Sequence, residues 1–144
     1  MKEVVGGGYG DFWKTKKRYV VCKGSRASKK SKTAALWHIV KIMKHPGANA
    51  LVIRKTERTL RDSCFADLKW AIHRLGYDSE WTARTNPLEL IYNPTGQKIL
   101  FRGLDNPLKL TSISVDTGAI CFCWINISVQ QVKINFSNCW NTLT

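Results

Sequence analysis

Apolar positions along this chain switch between two spacings, and each switch marks the boundary of a predicted element. Arg18 to Cys22, "RYVVC", is a short β-branched and aromatic run between a basic segment and Gly24, which predicts a strand. Ala35, Leu36, Ile39, Val40 and Met43 then recur at helical spacing until His45-Pro46-Gly47 stops the helix. Ala50 to Ile53 is continuously apolar, as a parallel strand covered on both faces requires. Leu60, Cys64, Leu68, Ile72 and Leu75 step by four, four, four and three, which puts them on one face of a helix ending near Gly76. Two β-α units in succession predict an α/β domain.

The second half of the chain reads differently. "LELIYNPTGQKILF" sets two apolar runs around Asn93-Pro94-Thr95-Gly96, with Asn, Pro and Gly suited to the first, second and fourth positions of a type I turn, so a hairpin is expected. Ala119 to Ile125, "AICFCWI", is a further apolar run with the look of a central strand. Beyond Asp116 no acidic residue occurs, and Lys133 is the only formally charged side chain. Residues 126–144 show neither a helical stripe nor a cap, and no element is assigned to them. No internal repeat or low-complexity tract interrupts the chain.

Composition narrows the class. With 144 residues, 44% of them hydrophobic, the chain is one domain or a piece of one and has the apolar content to fold. Its 23 Lys and Arg against 10 Asp and Glu leave a formal charge of +13, a field that draws polyanions: nucleic acid, phosphorylated ligands or anionic membrane. Cys22, Cys64, Cys121, Cys123 and Cys139 form no C-x-x-C pair, and His38, His45 and His73 lie apart from most of them, so neither zinc nor a disulfide framework is expected. Cys121 and Cys123 read as buried strand residues. The N-terminus lacks an apolar signal region, and no run approaches the roughly 20 apolar residues of a membrane helix. A reducing, cytosolic setting with no membrane partner is the expectation.

Between the first strand and the first helix lies "GSRASKKS", Gly24 to Ser31. The phosphate-loop pattern G-x-x-x-x-G-K-[ST] matches Gly24, Lys30 and Ser31, but Lys29 stands where the second glycine belongs. Such a loop turns consecutive N–H groups into one concavity, and the following helix adds its positive dipole end. Lysine at the Lys30 position reaches phosphate, and hydroxyl at the Ser31 position coordinates magnesium. Gly24 can make the turn, and Arg26 adds a donor able to stabilise charge on a transferring phosphoryl group. A left-handed backbone at Lys29 would cost about 1 kcal/mol or more. Its N–H is kept and its charge attracts the same anion, so the substitution weakens the motif without abolishing it.

Together these segments resemble the large terminase subunit of tailed bacteriophages, the motor that packages DNA. The resemblance rests on "GYGDFW" at Gly8 to Trp13, "KGSRASKKSKTAALW", "ALVIRKTERTLRDSCFADLKWAI", "LIYNPTGQKILFRGLDNPLKLTSI" and "CFCWI", and runs from about Gly8 to Ile125. It implies a P-loop NTPase domain of the RecA-like type: a parallel sheet flanked by helices, incomplete in this chain and carrying an inserted β-hairpin. It implies ATP with Mg2+ held by Gly24, Ser25, Arg26, Ala27, Ser28, Lys29, Lys30 and Ser31. Lys30 would bind phosphate, Ser31 would hold the metal, and Arg26 would sense the γ phosphate, making Arg26 and Lys30 the catalytic pair. Phe12 and Trp13 either lie near the adenine or serve as packing residues. The implied partners are viral double-stranded DNA, the small terminase subunit and the portal protein, with an oligomeric ring only in the complete protein, in the cytoplasm of a bacterial host.

One departure bears on chemistry. Members of the family follow the apolar strand with an acidic pair, one carboxylate for the magnesium shell and one to activate water; here Asn126 and Ile127 occupy those positions. Neither can act as a general base, so poor hydrolysis is expected. The expected organisation is a partial ATPase domain over 1–125 and an unassigned tail over 126–144, with a frameshift in the coding sequence as the expected origin of the tail. The competing reading is a basic, non-enzymatic nucleic-acid-binding module in which "KTKKR" and "SKKSK" contact phosphates. Arg54, Lys55, Arg58, Arg61 and His73 are read as surface residues without assigned function.

Overall fold

The computed structural model describes residues 10–14, 19–23, 29–105, 119–128 and 131–136. Their elements run α1 (Gly10–Lys14), β1 (Tyr19–Lys23), α2 (Lys30–Lys44), β2 (Ala48–Arg54), α3 (Ala66–Leu75), β3 (Trp81–Thr85), β4 (Leu88–Tyr92), β5 (Gln97–Gly103), β6 (Ala119–Ser128) and β7 (Gln131–Phe136). A 3-10 turn (Glu57–Thr59) and a π-helical turn (Arg61–Phe65) lead into α3.

All seven strands form one sheet in the order β1-β7-β6-β2-β5-β4-β3. The expected parallel sheet is in fact mixed. β2 pairs in parallel with β5 and β6, while the β1–β7, β6–β7, β4–β5 and β3–β4 ladders are antiparallel. Because β7 runs against both of its neighbours, β1 still points the same way as β6, β2 and β5. The parallel ladders are those of β2 with β5 and β6; the β3–β4, β4–β5 and β6–β7 ladders join strands close in sequence, and β1–β7 is antiparallel between strands far apart in the chain.

α2 and α3 pack on each other, and α2 lies across β2 and β7. Phe122 and Trp124, two apart on β6 and so on one face of the sheet, carry this contact. Trp37 meets Phe122 edge-on at 5.4 Å between ring centroids, and His38 stacks on Trp124 at 5.5 Å. Phe12 of α1 joins the same cluster, 6.0 Å from Trp37, which is the packing alternative anticipated for it. In the same core cluster, Phe65 of the π turn meets Phe101 of β5 at 5.3 Å.

The helix ends follow their sequence signals. Gly76 caps α3 with φ 79, and its N–H bonds back to the last turn. The β4–β5 hairpin forms, but its turn starts one residue earlier than expected: the Tyr92 carbonyl accepts the N–H groups of Thr95 and Gly96, and Gly96 takes φ 76. Buried Gln97 explains how α2 meets β2, since its side-chain amide donates to the carbonyls of His45 and Ala48 at 2.8 and 2.6 Å. Cys121 is buried and disulfide-bonded, against expectation. Its adjacent cysteine, Cys123, is a free thiol, so the bridge is not the local pairing that sequence spacing can reveal.

Candidate phosphate-binding site

The strands that run together, β1, β6, β2 and β5, all end at one edge of the sheet, the edge where ligands of open α/β sheets bind. α2 starts there. Of the expected loop residues, Gly24, Ser25, Arg26, Ala27 and Ser28 lie outside the described residues, as do the side chains of Asn126 and Ile127. Lys29, Lys30 and Ser31 lie within them and form the cap and first two residues of α2.

Lys29 adopts φ 61 and ψ 18, left-handed, and is the one non-glycine residue with positive φ among those described. The steric demand that makes glycine the usual occupant is therefore present, and a lysine meets it. A left-handed residue followed by helical ones turns successive N–H groups toward one side, the geometry of an anion nest. Lys29 gives no side-chain cap to the helix. The first backbone bond of the helix is Thr33 N–H to the Lys29 carbonyl at 2.9 Å, reinforced by the Thr33 hydroxyl donating to the same oxygen at 2.8 Å. The N–H groups ahead of that bond point out of the helix end, as in any helix.

Charge at this end is the reverse of what a helix favours. The first turn of α2 holds no acidic residue but contains Lys30 and Lys32, where the dipole is positive. Lys30 is 6% exposed, an uncommon burial for a lysine. Lys32 is engaged elsewhere: its Nζ lies 2.8 Å from the Asp67 carboxylate and 4.4 Å from the centre of the Trp70 ring. Ser31 is half-buried beside Lys30.

Comparison with known proteins gives the family of the chain. The family model for the phage terminase large subunit matches residues 16–143. The chain belongs to that family. It is 38% identical over 120 residues to the "Terminase, large subunit" of Bacillus phage SPP1, covering 80% of this chain and 28% of that protein. It is 37% identical over 101 residues to the "PBSX phage terminase large subunit" of Bacillus subtilis (strain 168), covering 70% of this chain and 22% of that one. This terminase chain thus spans about a quarter of the length of these relatives.

A concavity of the terminase domain, about 650 Å3, lies away from the start of α2, at the ends of β2 and β5. Arg58, Arg61 and Arg102 line it together with Glu57, Asp62 and the β3–β4 turn. Nothing in the sequence spacing announces that these arginines line one concavity, because Arg102 arrives through the parallel pairing of β5 with β2. In the middle of β6, the free Cys123 thiol is pushed up to about 11 by burial and stays protonated near neutral pH. No helix of the described residues is long and apolar enough to cross a membrane.

Proposed function

We propose that this chain is the ATP-binding part of a terminase motor, which in the complete protein couples ATP hydrolysis to the packaging of viral double-stranded DNA into a procapsid. The observation that carries the reading is buried Lys30 at the positive end of α2, directly behind a left-handed Lys29, at the carboxyl edge of co-directional strands. In this reading Lys30 and the N–H groups around Lys29 hold the phosphates, the Ser31 hydroxyl supplies a magnesium ligand, and Arg26 lies in the loop beside them. The residues present fit a magnesium nucleotide's phosphates; the water-activating carboxylates do not appear at Asn126 and Ile127, so hydrolysis by this chain is slow. A RecA-like motor fold, the partners DNA, small terminase subunit and portal, ring assembly of the complete protein and residence in the host cytoplasm all belong to the same proposal.

Titration with a fluorescent ATP analogue and Mg2+ at low salt tests it. Saturable binding is expected, lost on Lys30→Ala and kept on Arg58→Ala. If the wild type shows no saturable binding, or if Lys30→Ala only lowers the salt slope of DNA binding by about one counterion, the chain is a basic nucleic-acid-binding module instead. Replacing Asn126 by Asp together with Ile127 by Glu is expected to raise the hydrolysis rate without tightening nucleotide binding.

A further inference from the structure

Strand register gives residues 131–136 a part in the candidate site that their sequence does not announce. β1 carries the chain into the loop that ends at Lys29. Its ladder runs to β7: Tyr19 opposite Asn135, Val20 opposite Ile134, Val21 opposite Lys133, Cys22 opposite Val132 and Lys23 opposite Gln131. Among the described residues β1 ends the sheet, and β7 is its one neighbouring strand there. β7 is held in turn by β6, from Phe122 opposite Phe136 to Ser128 opposite Gln131. On the far side of the loop, α2 lies over β7 as well as β2. The strand entering the loop and the helix leaving it therefore share β7 as a support.

We propose that β7 is the positioning element of the phosphate loop, so that nucleotide is held only while residues 131–136 are paired between β1 and β6. This rests on the phosphate-binding reading above. A five-residue strand with no ladder does not persist in water, so β1 without β7 would lose its place. An anion nest works only while its N–H directions are fixed. Apparent affinity then scales with the fraction of molecules in which β7 is docked.

Hydrogen exchange on the unmodified protein tests the link directly. The amides of Tyr19–Lys23 that face β7 are expected to exchange through the same opening as the β7 amides and never to outlast them. Mg-ATP at a hundred times its Kd is expected to slow exchange in both strands by about 100-fold. β1 amides that outlast those of β7, or ATP protection of β1 without β7, would overturn the proposal. Absence of saturable ATP binding sinks the nucleotide reading alone, since the comparison of β1 with β7 needs no ligand. Ile134→Pro, which removes an N–H from a strand paired on both sides, is expected to weaken ATP binding at least tenfold, with Ile134→Val near wild type and the β2 and β5 amides still protected. An Ile134→Pro protein that folds and binds ATP normally also overturns it; one that fails to fold leaves the decision to the wild-type exchange.

Discussion

After β2, the chain turns into α3 by closing on its own groups. The Glu57 N–H donates to the Asp105 carboxylate at 3.1 Å, the Leu104 N–H to the Arg54 carbonyl at 2.9 Å, and the Thr59 and Ser63 hydroxyls to carbonyls three and four residues back. Asp67 sits in the first turn of α3 and His73 and Arg74 in the last, matching the helix dipole. After β1, the turn into α2 does the opposite: a left-handed lysine with no side-chain cap, then lysines against the positive end of the helix. The first connection is complete within the protein. In the second, the described residues start a helix with lysines and no acidic residue in its first turn, a composition that suits an anion at the helix end.

The largest effect on this contrast comes from acid, through the seat of α2 on β6. His38 is fully buried, its Nδ1 2.7 Å from the Ala34 carbonyl, and burial lowers its pKa to about 4 from an ordinary 6.5. The unfolded chain takes up the proton first, so the full stability holds above pH 6.5. It falls by on the order of 3 kcal/mol as pH drops toward 4, then levels. Urea midpoints measured across that window check it; a His38→Gln variant with the same pH slope as wild type would refute it.

Next comes the closed connection. A Cβ on Gly103 would lie 2.5 Å from the Glu57 nitrogen and 2.7 Å from its Cα, so Gly103→Ala pushes the two exit loops apart. A loss of about 1–3 kcal/mol is expected, read as a fall in Tm. Unchanged Tm would mean that the loops move aside freely and that the connection is less closed than described.

Smaller and opposite in sign is Lys29→Gly. Removing the Cβ from a left-handed position is expected to raise stability by about 1 kcal/mol in denaturant unfolding. A destabilised glycine variant would show that the lysine side chain contributes more than its backbone costs. The smallest effect belongs to the pair joining the two units: Asp67→Asn frees Lys32, both partners being partly exposed, and is expected to cost under about 1 kcal/mol, shrinking further in high salt.

How far the sequence led can be judged residue by residue. The apolar spacing of α2 and α3, the stop at His45-Pro46-Gly47 and the cap at Gly76 were legible because local periodicity and backbone freedom decide them. The strain at Lys29 was legible too, since the motif itself states which position needs glycine. β3 was not: after buried Trp81 its residues are exposed, so no alternation marks it. Strand direction was also hidden, because a parallel and an antiparallel neighbour can present similar apolar runs. The burial of Lys30 and the placing of Arg58, Arg61 and Arg102 around one concavity depend on contacts between distant segments, and spacing carries no trace of those.

The register of β1 has a consequence in time as well as in space. Tyr19 pairs with Asn135, nearly the whole described chain away, whereas β4 and β5 meet across a four-residue turn and α2 leads straight into β2. Contacts of such long sequence separation form late, because their loop-closure entropy must be met before they contribute. The β2–β5 half of the sheet can assemble from nearer segments, while β1 waits for β7, far along the chain. The ladder that holds the strand leading into the candidate phosphate loop is thus set late in folding.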